Sequence, residues 1–143
     1  MAHILILFFS NIVRWNPQQE NKTLLNQSAL LNCLYYNVQT LAHRPFISLT
    51  RKNSSLSFAS LAICTNAARS SSHILEVHLA KGDPMSYLTH CAFTSGIVLL
   101  LNIWGAKKLG IRADPEGHIQ DVYKCMSWLN AHAKRQVVFV LSN

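Results

Sequence analysis

A long uncharged stretch, PMSYLTHCAFTSGIVLLLNIWGA at residues 84–106, constrains the fold of this chain more than any other feature. It is long enough to cross a bilayer, and Lys107 and Lys108 follow it as a positive flank would. Its first half is polar, however, so the apolar remainder is too short for the ~30 Å hydrocarbon core. The stretch therefore favours the buried helix of a soluble protein. A membrane-associated helical protein, with one buried or spanning helix at 84–106, is the alternative.

The composition agrees with a packed domain, because half of the 143 residues are apolar and only 13% are charged. Thirteen Lys and Arg against six Asp and Glu give a net charge of +7, which by itself would fit an anionic partner. The basic residues are nevertheless scattered as singles and three pairs, whereas a surface that follows phosphates needs a cluster. Direct binding of nucleic acid is therefore not expected.

Four helices are predicted from apolar spacing and from the residues that begin and end helices. They lie near residues 26–43, 56–79, 85–104 and 115–133. The first has Asn26 or Ser28 as a candidate N-cap and ends before Pro45, because the residue preceding a proline disfavours helical backbone. These segments predict an all-α fold, an irregular helical bundle that forms an incomplete domain.

The other helices carry signals of their own. Asp83-Pro84 and Asp114-Pro115 place a cap and a proline where the third and fourth helices should begin. The second helix has a row of small residues that would bring a neighbouring backbone close, so we expect it in the centre of the bundle. That row is Ala62, Cys64, Ala67 and Ala68. In the fourth helix one face carries Ile119, Val122, Met126, Leu129 and Ala133.

Residues with reactive side chains do not form a recognisable catalytic or metal-binding pattern. Cys33, Cys64, Cys91 and Cys125 are about thirty residues apart, with no Cys-x-x-Cys pair, so we expect reduced, buried thiols and no zinc or other cofactor in this chain. The histidines also lack ligand spacing: His73 and His78 are five residues apart, whereas a zincin helix needs four. No nucleophile elbow or phosphate-binding glycine loop occurs, and an enzyme is not expected.

The segment His43-Arg44-Pro45-Phe46 is the most distinctive surface motif. A local role is the first interpretation: His43 and Arg44 place positive charge at the helix C-terminus, and Phe46 folds back onto the bundle. The functional interpretation makes His43 and Arg44 a contact for an acidic effector or a neighbouring domain, through the two parallel hydrogen bonds that a guanidinium offers.

Four segments resemble, in the same order, the middle homology region of fungal zinc binuclear-cluster transcription factors. They are LNCLYYNVQTLAHRPFI at 31–47, ICTNAAR with SHI at 63–74, FTSGIVLLLNIW at 93–104 and DVYKCM at 121–126. The resemblance covers about residues 25 to 133. It implies a helical regulatory domain of the xylanolytic-activator type, inside a nuclear protein that regulates transcription. On this basis 21–135 is a partial regulatory domain, 1–20 an N-terminal apolar segment and 136–143 a C-terminal tail.

The family's zinc and DNA contacts belong to an N-terminal six-cysteine cluster that this sequence does not contain. The resemblance therefore implies that DNA is reached only through a missing module. Further expectations are a small-molecule effector or a regulatory protein as partner, and self-association of the isolated chain. A membrane partner is not expected.

Overall fold

The computed structural model describes residues 15–47, 55–82, 84–108 and 115–142. Within these ranges the chain forms four α-helices and no strand, which confirms the predicted all-α helical bundle. We number them α1 (Lys22–His43), α2 (Ser55–Lys81), α3 (Thr89–Lys108) and α4 (Pro115–Leu141). There are two short 3-10 turns: Arg44–Phe46 follows α1, and Ser86–Leu88 precedes α3.

Helix α1 begins earlier than the sequence predicts. Its N-cap is Asn21, whose Oδ1 accepts hydrogen bonds from the N–H groups of Thr23 (3.0 Å) and Leu24 (3.4 Å). The predicted caps Asn26 and Ser28 were wrong, since both lie inside the helix. An N-cap residue has extended backbone angles, as Asn21 has, and its side chain accepts hydrogen bonds from the unpaired N–H groups of the first turn. The predicted end at residue 43 is confirmed.

The predicted boundaries of the later helices agree with the structure only in part. Pro84 lies outside α3, which starts at Thr89 after the Ser86–Leu88 turn, so the prediction of Pro84 as its first residue was wrong. Helix α4 begins at Pro115 as predicted and runs to Leu141, so residues 136–141 continue this helix. The two predicted caps at positions 83 and 114 lie outside the described residues.

Helix α2 is the central helix, as its small residues predict. It packs against α1, α3 and α4; α3 and α4 also pack against each other. Cys64, Ala67 and Ala68 are buried, although Ala62 is exposed. Small side chains let neighbouring helix axes approach, which is how one helix can contact three others.

The core gathers around Trp128 of α4, which is fully buried. It clusters with side chains from all four helices and from the Ser86–Leu88 turn. Helices α3 and α4 approach closely at Gly96, where an added Cβ would lie 3.6 Å from the Cβ of Cys125. A second, smaller cluster joins Ala68, Leu99 and Val122.

Buried polar side chains of α1 and α2 form hydrogen bonds within their own helices. Thr40 Oγ1 donates to the carbonyl of Tyr36 (3.0 Å), and Thr65 Oγ1 donates to that of Leu61 (2.8 Å). Asn32 Nδ2 donates to the Ser28 carbonyl at 2.9 Å. These bonds offset the cost of burying polar groups. The helices can therefore pack closely through side chains that are small but not apolar.

The large apolar side chains that mark the helices in the sequence are mostly on exposed faces. On α1 the exposed set is Leu24, Leu31, Leu34, Tyr35, Val38 and Leu41. On α3 it is Phe93, Ile97, Leu100, Leu101 and Trp104. The expectation of an enclosed third helix was therefore wrong for the described residues: Cys91, Ala92, Ser95 and Leu99 form its buried side. A chain this short has too few helices to cover both faces.

Helix α4 presents a different face to the core than the sequence predicts. Asp121, Cys125, Trp128 and His132 are buried, whereas Ile119 and Met126 are exposed. Val122 alone of the predicted face is fully buried. The shift follows from the close approach of Gly96, which brings the Cys125 side of α4 against α3.

We predict that the isolated chain self-associates, because exposed apolar rows of this size favour contact with another surface. Ile97 and Leu101 are 41% and 55% exposed, so replacing both with Gln should reduce association without opening the core. Sedimentation of the wild type and of the Ile97→Gln/Leu101→Gln variant over a concentration series measures this. A monodisperse wild-type monomer with one cooperative unfolding transition would contradict the prediction.

Candidate functional site

An ion-pair cluster joins α2 to α4 and is the most structured polar site of the described residues. Arg69 Nε lies 2.9 Å from Asp121 Oδ2, and Lys124 Nζ lies 3.1 Å from Asp121 Oδ1. The Asp121 side chain is only 9% exposed, whereas that of Arg69 is 50% exposed. The carboxylate is thus buried but held by two cations, which offset much of its desolvation cost.

The cluster extends towards solvent through Glu76. Its Oε2 lies 3.3 Å from Lys124 Nζ and 3.2 Å from His73 Nδ1. Burial by itself would lower the pKa of Lys124, but the hydrogen bonds and charges of Asp121 and Glu76 outweigh it and raise that pKa. Lys124 therefore stays charged and bridges a buried acid to an exposed one.

Two histidines are buried in a second polar region, around Trp128. His78 is fully buried, and its Nε2–H donates to Asn26 Oδ1 at 3.0 Å. His132 is 7% exposed, and its ring centroid lies 5.6 Å from that of Trp128. His78 Nδ1, His132 Nε2 and Trp128 Nε1 have no hydrogen-bond partner in the part of the chain that the structure describes. Burial lowers the pKa of His78, so its ring is neutral at neutral pH.

The predicted contact residues lie at the end of α1, away from any other charged partner in the described ranges. His43 is half-buried, with Nδ1 3.4 Å from Ser60 Oγ, and Arg44 is exposed. The Arg44 N–H donates to the Thr40 carbonyl and closes the helix. The Arg44–Phe46 turn packs against α2, and Phe46 is 51% exposed there.

The four cysteines are all buried free thiols, as predicted. Burial raises the pKa of each, to about 12 for Cys125, where the nearby Asp121 charge adds to the effect. Thiols in this state are poor metal ligands, since a metal binds the thiolate. No group of three His, Cys, Asp or Glu among the described residues could hold a metal ion. The donor set here does not fit the zinc cluster of the resembled family.

Comparison of this chain with protein-family models, with curated proteins and with solved structures finds no match.

The sequence patterns predict neither the ion-pair cluster nor the pair of buried histidines. Arg69 and Asp121 are 52 residues apart, so no local spacing joins them, although both lie in segments that carry the family resemblance. His78 and Asn26 are likewise 52 residues apart. One available signal was Asp121 itself, an acid placed one turn before Cys125 on the buried side of α4.

We predict that the free energy of unfolding falls as the pH drops below about 6.5, the ordinary pKa of histidine. The folded-state pKa of His78 is lowered, so the unfolded chain takes up a proton first and stability present at higher pH is lost. Denaturant unfolding at pH 7.5, 6.5 and 5.5 measures this slope.

The His78→Gln variant should flatten the slope, because it removes the buried ring that the unfolded chain protonates first. Equal slopes in the wild type and in His78→Gln would assign the pH dependence to other groups.

Proposed function

We propose that this chain is the regulatory, middle-homology part of a fungal binuclear-cluster transcription factor and acts in the nucleus. Its role is to receive a signal, from a small molecule or another protein, and pass it to a DNA-binding module that this sequence does not contain. The chain itself is proposed to be non-enzymatic, and DNA contact is proposed only through that module. No cofactor is proposed for these residues.

The observation that carries this proposal is the packing of the four resembling segments on one another. Cys33 of the first and Cys125 of the fourth belong to one buried cluster. Ala68, Leu99 and Val122, from the second, third and fourth segments, form the other. Their common packing supports a single unit over the length of the resemblance.

The Arg69–Asp121 ion pair adds a specific link between two of these segments. Arg69 ends the ICTNAAR segment and Asp121 begins the DVYKCM segment, and their side chains meet at 2.9 Å. Exposed Arg44, in the first segment, remains the candidate contact for an acidic effector or a neighbouring domain, with His43 beside it. Further helices or a second chain would pack on the exposed apolar rows of α1 and α3.

The second candidate is a membrane-associated helical protein, and one observation favours it. Ser86–Lys107 is a helical stretch long and apolar enough to cross a membrane, and only 28% of its most apolar window is buried. A core helix of a soluble bundle is usually buried over most of its length. The exposed row from Phe93 to Trp104 would then face lipid.

A reporter experiment tests the regulatory role. The whole chain is joined to a DNA-binding module from an unrelated protein and expressed in a fungal cell with that module's reporter. We expect reporter output to change by roughly fivefold or more relative to the module alone, an effect of ordinary size for coupled regulation. The Asp121→Ala variant, which leaves Arg69 without its buried partner, should lose the change.

Glu76→Gln is the matched control, because Glu76 is 48% exposed and its loss should leave the effect intact. Output equal to that of the module alone, with the fusion folded and present in the nucleus, would contradict the proposal. Recovery of the untagged chain in membranes that resist an alkaline wash would favour the membrane candidate instead.

A further inference from the structure

The outer side of α1 carries a row of residues whose spacing alternates between three and four. We call this row the α1 seam. Its members are Leu24, Gln27, Leu31, Leu34, Val38 and Leu41. All of them are exposed, and the apolar members are between 38% and 62% exposed. An average spacing of about 3.5 residues keeps such a row facing a neighbouring helix over its whole length, which is the geometry of a coiled coil.

The opposite side of α1 is occupied by the bundle itself. Ala29, Asn32, Cys33 and Thr40 are buried there, and the helix packs on α2. Tyr35 lies next to the α1 seam and is 54% exposed, so it widens the apolar surface. A partner helix can therefore lie along the seam without displacing any contact of the core.

The α1 seam and its surroundings are uncharged. No residue from 23 to 42 has a charged side chain. The positions that flank the seam within the helix are Thr23, Ser28, Leu30, Tyr35, Asn37 and Ala42. Coiled coils between different chains usually select their partner by charges at these flanking positions, and α1 offers none. Two copies of α1 bring no like charges face to face, so a second copy of this chain is the occupant that the surface suits.

The available area is that of a weak dimer. The apolar residues of the α1 seam and Tyr35 are each about half exposed. Covering them removes on the order of 600 Å² per copy from water, or about 1,200 Å² for a pair, which is the lower end of stable protein–protein interfaces. We therefore expect a dimer that dissociates on dilution.

Gln27, the single polar member of the α1 seam, selects the direction of pairing. In a parallel pair each seam residue faces its own copy, so the two Gln27 amides meet and can hydrogen-bond to each other. In an antiparallel pair, the register that aligns the two seams places Gln27 opposite Val38 instead. The amide would then be buried against an apolar side chain without a partner, which costs free energy. The parallel arrangement is therefore the favoured one.

We propose that α1 is a homodimerisation surface, on which a second copy of this chain packs its own α1 in parallel and in register. The proposal rests on the surface of α1 alone, so it stands or fails independently of the regulatory function proposed above. The apolar row of α3 is a separate surface that also favours association. The experiments therefore use the Ile97→Gln/Leu101→Gln variant, in which the centre of that row is polar.

Sedimentation of this full-length variant over a concentration series tests the surface. We expect an equilibrium between monomer and dimer. Adding Leu34→Gln/Val38→Gln should weaken the dimer at least about tenfold, because each copy loses two apolar residues from the α1 seam. Circular dichroism with unchanged helix content shows that the added substitutions leave the fold intact.

Tyr123→Gln/Met126→Gln is the matched control. These two residues are 57% and 56% exposed on α4, outside the α1 seam. Adding this pair to the same variant should change the dissociation constant of the dimer less than about twofold, since distant surface sites act independently.

Disulfide cross-linking in oxidised glutathione tests the direction of pairing. Leu41→Cys places a thiol at an exposed position of the α1 seam, whereas the four native thiols are buried. In the parallel pair the two introduced thiols face each other and should form a disulfide between chains. In an antiparallel pair they would lie roughly 25 Å apart along the helix axis. Asn130→Cys, at an exposed position of α4, should give no cross-link.

Three results would overturn the proposal. A chain that stays monomeric throughout the concentration series has no dimer surface on α1. Equal weakening by the seam variant and by the α4 control would place the interface elsewhere. A dimer in which Leu41→Cys forms no disulfide would contradict the parallel pairing.

Discussion

The buried carboxylate of Asp121 constrains how α4 packs on α2. A charge that is 9% exposed is stable only with partners, and Arg69 and Lys124 supply them from α2 and α4. The Arg69 contact joins α4 to α2, and the close approach at Gly96 turns the Cys125 side of α4 towards α3. Cys125, Trp128 and His132 follow Asp121 at helical spacing, so they all turn towards the core.

Small side chains make this arrangement compact. Because Cys64, Ala67 and Ala68 occupy the buried side of α2, its neighbours approach closely and the core is narrow. Many large apolar residues therefore remain exposed on α1, on α3 and at the end of α4. Because small residues fill the core, the large apolar residues lie on the surface, where partners, effectors or further helices would bind. The regulatory proposal uses surfaces that the bundle leaves uncovered.

The sequence predicted the helices better than it predicted their faces. Prolines 45 and 115 mark helix boundaries correctly because proline restricts backbone angles, whereas Pro84 lies five residues before the start of α3. The faces were harder, because the row from Leu31 to Leu41 has the periodicity of a core face but lies outside. The buried face of α1 is made of Leu25, Ala29, Asn32, Cys33 and Thr40, of which only Leu25 is a large apolar residue.

Sequence patterns predict only a small part of the candidate site. His43 and Arg44 were identified from a local motif, and the structure places them at the end of α1 without joining them to a larger cluster. The ion-pair cluster joins Arg69 to Asp121, which are 52 residues apart in the chain. Only the packing of α4 on α2 brings these two side chains together.

The most direct test of this account is a double-mutant cycle on the pair that sets the packing of α4 on α2. The unfolding free energies of wild type, Arg69→Gln, Asp121→Asn and the double variant are measured by denaturant titration. The account predicts a coupling energy of at least about 0.5 kcal/mol, because the two groups interact directly in a partly buried site. Additive effects within experimental error would mean that Arg69 and Asp121 do not meet, and the arrangement of α4 described here would be wrong.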